Sequence, residues 1–346
     1  MDVSILSLGD LVTDPVTGER MTAAEKHQLA VDQAVAAEEA GLRAIYIGEH
    51  HALEYVYSCP PVILSAISQR TKRLRLGTGV TLLANLDPVR VAEDYGTLDV
   101  LSNGRVEIVG GRGNIFPSVY ELFGQPIEES QERFEENLRL LLDIWTNPVV
   151  NWEGKFRPAI RDQKIEPVPL QRPRPPVWIG GGLSTSSAEL CAALGLPLML
   201  PVTTFQPASM FEPAAQHYRE SWKAAGHEQP CRIGATVHAT VAATSQEARK
   251  LWAPRYTAYH DWSRKAIHST GAKPAFLTGF DFDALIGPGG SAVGGSPAEV
   301  VDKIGWLSEL LGVDSIVLYL DMGGIPKNEL LTMIERVGSE VIPALK

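Results

Sequence analysis

The chain has 346 residues, enough for one large barrel or two smaller domains. Hydrophobic residues make up 45% and charged residues 21%, the balance of an ordinary globular protein rather than a disordered one. Acidic residues outnumber basic ones 41 to 31, and the net charge of -10 argues against a nucleic-acid partner, whose phosphates call for Lys and Arg. A small anionic ligand needs only one local basic group and stays open. The three cysteines, Cys59, Cys191 and Cys231, are far apart and form no C-x-x-C, so neither a disulfide framework nor a structural zinc site is expected. The N-terminus lacks a basic region followed by a long apolar core. The longest apolar stretches, such as Leu196 to Val202, are far short of a membrane span, and a soluble cytoplasmic protein is expected.

In chain order, Val3 to Gly9 reads as a first strand, and the turn-rich stretch from Asp10 to Arg20 as a loop. Thr22 with Glu25 forms a capping box for a helix that Gly41 ends. Ala44 to Gly48 is a second strand, running directly into Glu49-His50-His51. Pro60 opens a helix, Leu74 to Thr81 is the third strand, and Asp87-Pro88 opens the next helix. Val106 to Val109 is the fourth strand, followed by a long amphipathic helix from Glu128 to Trp145. The Pro-rich stretch from Asn147 to Pro176 breaks the rhythm as a hairpin or excursion. Val177 to Gly180, Leu198 to Leu200 and Arg232 to Val241 are the next strands. Helices are expected from Ser184 to Leu194, from Pro207 to Ala225 and from Ser245 onward. Pro254 to Gly295 reads as long and irregular, Ser296 starts a helix, Ser315 to Leu320 is the eighth strand, and Pro326 to Ala344 is the final helix. Eight strand-then-helix units imply a parallel sheet closed into a TIM (β/α)8 barrel, with a long excursion after the fourth helix and a long irregular insertion before the eighth strand. With no composition shift to mark a boundary, residues 1–346 are expected to form one domain. The runner-up is an open doubly wound sheet with a second domain.

In such a barrel the chemistry sits at strand C-terminal ends. His50 and His51 follow the second strand, but adjacent residues of an extended segment point opposite ways, so they are poorly placed to share a metal ion. On residue type alone His50 is a general base or a structural histidine in equal measure. Glu49 would orient a neighbour or neutralise an arginine. Gly110-Gly111-Arg112-Gly113 either brings a ligand close to backbone beside a guanidinium or is a tight turn with an exposed arginine. Gly180-Gly181-Gly182-Leu183-Ser184-Thr185-Ser186-Ser187 follows a strand and opens a helix, a good cradle for a phosphate, although ordinary capped helices also look this way. Gly77-Thr78-Gly79-Val80 would let backbone approach a flat ligand. Tyr55, Tyr57, Phe116 and Tyr120 would line a pocket or serve packing.

Taken in order, several segments resemble the bacterial luciferase-like flavin-dependent monooxygenases. They are Gly48-Glu49-His50-His51, Arg70 to Thr78, Pro88 to Asp94, Leu101 to Arg105, Gly111-Arg112-Gly113, Pro176 to Ile179, Gly195-Leu196-Pro197 and Gly295 to Val300. The resemblance implies an eight-stranded barrel, usually dimeric, that binds FMN at the strand C-terminal mouth. It implies that reduced FMN, supplied by a separate flavin reductase, meets dioxygen to give a flavin hydroperoxide that oxygenates a carbonyl or related small substrate. It assigns the base to His50 and the flavin phosphate to Arg112, with Gly182, Ser184 and Ser187 as further phosphate contacts. It also implies a non-proline cis peptide at Gly79–Val80. The luciferase branch has a reactive cysteine where this chain has Gly111, which argues against light emission with a long-chain aldehyde. Two alternatives share the fold: a deazaflavin-dependent oxidoreductase that moves hydride, and a non-catalytic flavin-binding partner subunit.

Overall fold

A computed structural model describes residues 1–113, 115–269 and 280–346. Eleven strands and eleven α-helices are found among them. The strands are β1 (Asp2–Ser7), β2 (Ala44–Ile47), β3 (Arg75–Leu82), β4 (Val106–Gly111), β5 (Val150–Trp152), β6 (Ile160–Gln163), β7 (Val177–Gly180), β8 (Leu198–Val202), β9 (Ile233–Val241), β10 (Val293–Gly295) and β11 (Ser315–Tyr319). The helices are α1 (Ala23–Glu39), α2 (Pro60–Arg70), α3 (Pro88–Ser102), α4 (Pro117–Leu122), α5 (Ser130–Thr146), α6 (Thr185–Leu194), α7 (Glu212–Ala224), α8 (Ser245–Ser269), α9 (Phe282–Ile286), α10 (Pro297–Leu311) and α11 (Lys327–Arg336).

Eight of the strands pair in parallel in the order β9-β11-β1-β2-β3-β4-β7-β8, and β8 pairs back to β9, which closes the barrel expected from the sequence. Short β10 adds to the C-terminal end of β9. The capping signals act as read: Thr22 and Glu25 satisfy each other's backbone donors at α1, and Ser296 with Glu299 does the same at α10. The main core fills the layer between the strands and their helices, with Ile5, Ile45, Ile108 and Ile179 among its fully buried strand residues. A second cluster, including Leu6, Tyr46, Val109 and Trp178, fills the barrel itself. At the N-terminal end of the strands Glu107 is completely buried. It accepts from Arg43 Nη1 and Nη2 at 2.8 and 2.7 Å, from Arg75 Nε at 2.8 Å and from the Tyr46 hydroxyl. Burial alone would raise this carboxyl, but the two guanidiniums outweigh it and hold Glu107 below the usual carboxylate range.

The excursion between α5 and β7 contains the antiparallel hairpin β5–β6. The stretch from Pro254 departs from expectation. It is not irregular at first, because α8 continues through Pro254 to Ser269. A proline inside a helix forfeits one backbone bond and crowds the preceding turn. Here Trp252, Tyr256, Tyr259 and Ile267, spaced at helical period on one face, are buried in the barrel cluster and offset that cost. Arg255 adds a buried 2.7 Å ion pair to Asp14. Residues 270–279 of the expected insertion lie outside the described residues. The last helix also differs: α11 ends at Arg336 and gives way to a π turn over Val337–Val341 and a 3-10 turn over Ile342–Leu345. There Gly338 lies so close to the Ala40 carbonyl that an added Cβ would come within 2.3 Å of its oxygen. No helix among the described residues is long and apolar enough to cross a membrane.

Candidate active site

The residues singled out in the sequence lie at the C-terminal ends of four consecutive strands of the barrel, β2, β3, β4 and β7. After β2, Gly48 leaves room that any side chain would fill: a Cβ there would stand 2.4 Å from Leu8 and 3.3 Å from His50 Nδ1. The two histidines then diverge. His50 turns into the mouth, where its ring stacks on Tyr55 at 4.1 Å between centroids and meets Phe116 edge-on at 5.9 Å. His51 turns toward Glu49, 3.0 Å from its carboxylate, and packs edge-on against Phe123. No group of three or more His, Cys, Asp or Glu side chains among the described residues could hold a metal ion.

Glu49 orients its neighbours rather than pairing with an arginine. Its Oε2 accepts from the Leu82 amide at 2.9 Å, and its own amide donates to the Val80 carbonyl at 3.3 Å. This clamps the end of β3 on both sides of Thr81. The Gly79–Val80 peptide is cis. The Val80 side chain lies over two neighbouring strands at their glycines. A Cβ on Gly111 would be 2.6 Å from Val80 and one on Gly180 would be 3.0 Å from it. The result is a smooth apolar wall across β3, β4 and β7.

Arg112 follows β4. Its Nη2 donates to Ser130 at 2.8 Å, its carbonyl accepts from Tyr120, and its Nε is buried without a partner among the described residues. Beyond β7, Gly182 is exposed, and an added Cβ there would meet nothing within 4 Å. Ser184 stands at the N-cap of α6, yet its hydroxyl does not cap the helix and instead lies 3.0 Å from that of Ser186. Ser187, in the first turn, is half-buried beside Gly181. With no side chain capping α6, the amides of its first turn lack an intrahelical partner, as at any helix start.

Burial, helped by the neighbouring His51, pushes the His50 imidazole down to about 3, so it is neutral at physiological pH. Its Nδ1 is enclosed and has no hydrogen-bond partner among the described residues. A second histidine, His238 on β9, is more completely enclosed and sits 2.9 Å from the Tyr256 hydroxyl through its Nδ1. Burial lowers it to about 3 as well. Both values lie below that of the unfolded chain, so the unfolded state takes up these protons first. The stability they contribute is complete above about pH 6.5 and is lost as pH falls toward about 3. A His238→Gln variant, which cannot be protonated there, is expected to lose less melting temperature than the parent between about pH 6.5 and 4. Equal losses in thermal melts of the two proteins would contradict this.

Other features of the mouth were harder to foresee. Tyr55 and Phe116 do line it, whereas Tyr57 is buried and donates to the Lys26 carbonyl at 2.6 Å. Tyr120 serves Arg112. Missed were Trp262, Tyr259 and Tyr256 of α8 and His238 of β9: Trp262 meets Tyr55 edge-on, and His238 packs edge-on against Tyr256 and Tyr259. Also missed was Lys26, buried 3.1 Å from Asp321 and 4.0 Å from Asp10. Burial alone would discharge this ammonium, but the two carboxylates outweigh it and keep it charged. Ala52, Leu53 and Glu54 all have positive φ, of 57, 54 and 64°. Three consecutive non-glycine residues in this region carry a real conformational cost, and they turn the chain so that Tyr55 folds back onto His50.

The model of the luciferase-like monooxygenase family matches residues 1–315. The chain belongs to that family. Its relatives include the oxygenase component of a flavin-dependent trigonelline monooxygenase from Acinetobacter baylyi, 30% identical over 41% of this chain and 40% of that protein. An F420-dependent glucose-6-phosphate dehydrogenase from Amycolatopsis mediterranei is 32% identical over 44% of this chain and 47% of that protein. Among solved structures, monooxygenase RslO1 from Streptomyces bottropensis superposes with a TM-score of 0.86 at 26% identity, with both chains covered in full. The FMN complex of the oxygenating constituent of 3,6-diketocamphane monooxygenase from Pseudomonas putida shares the fold. Its TM-score is 0.77 at 19% identity, over 100% of this chain and 99% of that one. As a luciferase-like protein the chain is a flavin-dependent oxidoreductase of the monooxygenase type.

Proposed function

We propose that this luciferase-like protein is an FMN-dependent monooxygenase that uses reduced flavin and dioxygen to oxygenate a small organic substrate. The observation that carries the reading is the convergence of a neutral imidazole, an apolar wall and an arginine beside a serine-rich helix start on four adjacent strand ends. The residues fit FMN. The buried, unpartnered Nε of Arg112 and the uncapped start of α6 with Gly182, Ser184 and Ser187 suit a phosphate. Gly79 and Val80, with Gly111 and Gly180 behind them, present a flat face to a ring system. Reduced FMN, when bound, supplies the electrons that activate dioxygen. His50 is held neutral by burial and so presents an unprotonated ring nitrogen at the mouth; negative charge developing on the bound reactants would raise its proton affinity and let it take a proton and return it. The aromatic side chains around it keep water away from the reacting atoms. The relative described as an oxygenase component favours a separate flavin reductase as partner.

Arg112→Ala is expected to weaken FMN binding about tenfold or more, the scale of a lost charged hydrogen bond. Titration of flavin fluorescence checks it, and unaltered affinity would remove Arg112 from the phosphate site. The Amycolatopsis relative favours a second reading, a deazaflavin-dependent hydride transfer on the same barrel. Titrating the protein with FMN and with F420 separates the two. Stoichiometric binding of F420 alone would overturn the FMN assignment. Consumption of reduced FMN and oxygen with formation of an oxygenated product would support it.

A further inference from the structure

The rings around His50 differ from the aromatic side chains deeper in the barrel in one respect. Trp252, Tyr256, Tyr259 and Tyr319 are buried in the core, whereas His50, Tyr55, Phe116 and Trp262 are each only half-buried. These four come from three separate segments, the loop after β2, the loop after β4, and α8, and they form one continuous chain of ring contacts. His50 stacks on Tyr55 at 4.1 Å and an interplanar angle of 27°. Phe116 stands edge-on to Tyr55 at 6.1 Å and 71°, and Trp262 is edge-on to Tyr55 at 4.9 Å and 73°.

The rim is held in place rather than loosely packed. The His50 amide donates to the Tyr57 carbonyl at 3.0 Å, and the Tyr55 backbone bridges to that of Asp10. Trp262 Nε1 donates to Glu54 at 2.9 Å, and Glu54 is itself held by Arg20 at 2.6 Å. Rings fixed before a ligand arrives lose little freedom when it binds. The four rings themselves carry no charge, and the nearby Glu54 is already paired with Arg20, so the rim offers chiefly ring faces and edges. Such surfaces reward a partner that has its own π-face and a polarised C–H edge, which a saturated ring of similar outline lacks.

We infer that the rim formed by His50, Tyr55, Phe116 and Trp262 is a seat for a neutral, planar aromatic substrate, with Phe116 and Trp262 as its specificity-determining residues. The inference rests on the reading of this mouth as the catalytic site. A matched pair of probes tests it: 2-naphthol and its saturated counterpart decahydro-2-naphthol, each titrated by calorimetry into the full-length protein with and without oxidised FMN. The planar compound is expected to bind about tenfold or more tightly than the saturated one. The preference should shrink to about threefold or less in Phe116→Leu/Trp262→Leu, a double variant that keeps apolar bulk at both positions. Equal binding of the two probes, binding of neither, or a preference that survives in the folded double variant would each overturn the inference. The wild-type comparison stands alone if the double variant fails to fold. FMN is titrated on the same samples. A naphthol preference without FMN binding would sink the flavin reading and spare the aromatic seat, whereas FMN binding without a naphthol preference would do the reverse.

Discussion

Replacing His50 with alanine is expected to slow turnover about 10²-fold or more, the usual scale for lost acid–base help, while leaving the affinity for oxidised FMN essentially unchanged. The separation follows from position. His50 lies after β2, on the face of the mouth where its ring meets Tyr55 and Phe116, and the groups suited to the phosphate lie after β4 and β7. Removing the imidazole takes away a proton acceptor without touching Arg112 or the serine-rich turn. The imidazole is held down to about 3 by burial, so the pH profile of kcat/KM should show no inflection from His50 near the ordinary histidine value of 6.5. Single-turnover mixing of the protein–reduced FMN complex with oxygenated buffer and substrate is the measurement. Unchanged turnover would remove His50 from the mechanism.

At the opposite end of the barrel, Glu107→Ala is expected to destabilise the fold by about 3 kcal/mol or more. The carboxylate is fully enclosed and receives hydrogen bonds from Arg43, Arg75 and Tyr46. Its removal leaves two guanidiniums facing one another with nothing between them. Arg43 and Arg75 are each roughly a quarter exposed and so recover part of their hydration, which places the cost toward the lower end for a broken buried pair. Glu107→Gln keeps an acceptor and should cost less. Urea unfolding followed by circular dichroism gives both values, and a midpoint shift for alanine no larger than for glutamine would refute the account. Because this cluster lies far from the mouth, FMN affinity in the folded fraction should be unaffected.

The barrel was legible because its signals are local. Thr22 with Glu25, Ser296 with Glu299, and Gly41 just past the end of α1 mark boundaries that short-range hydrogen bonds then enforce. Positions 50, 80, 112 and 182–187 could be put at one mouth because parallel topology sends every strand's C-terminal end to the same side. The state of His50 could not be read this way. Its depressed proton affinity comes from enclosure by residues distant in the chain, and a sequence shows only the ordinary imidazole. Pro254 misled for a related reason. Proline punctuates helices locally, but the apolar stripe of Trp252, Tyr256, Tyr259 and Ile267 wins through tertiary burial. Lys26 was hidden too, since a lysine in an amphipathic helix reads as solvated until Asp10 and Asp321 are seen to enclose it.

The nesting of Val80 over Gly111 and Gly180 couples three strands through one side chain. Even a methyl group at either glycine would intrude on valine, at 2.6 Å from β4 or 3.0 Å from β7. A cysteine at position 111 would therefore require the Val80 side chain to shift or to be made smaller. A graft that places a side chain at Gly111 or Gly180 without a smaller residue at position 80 would reshape the wall it was meant to preserve.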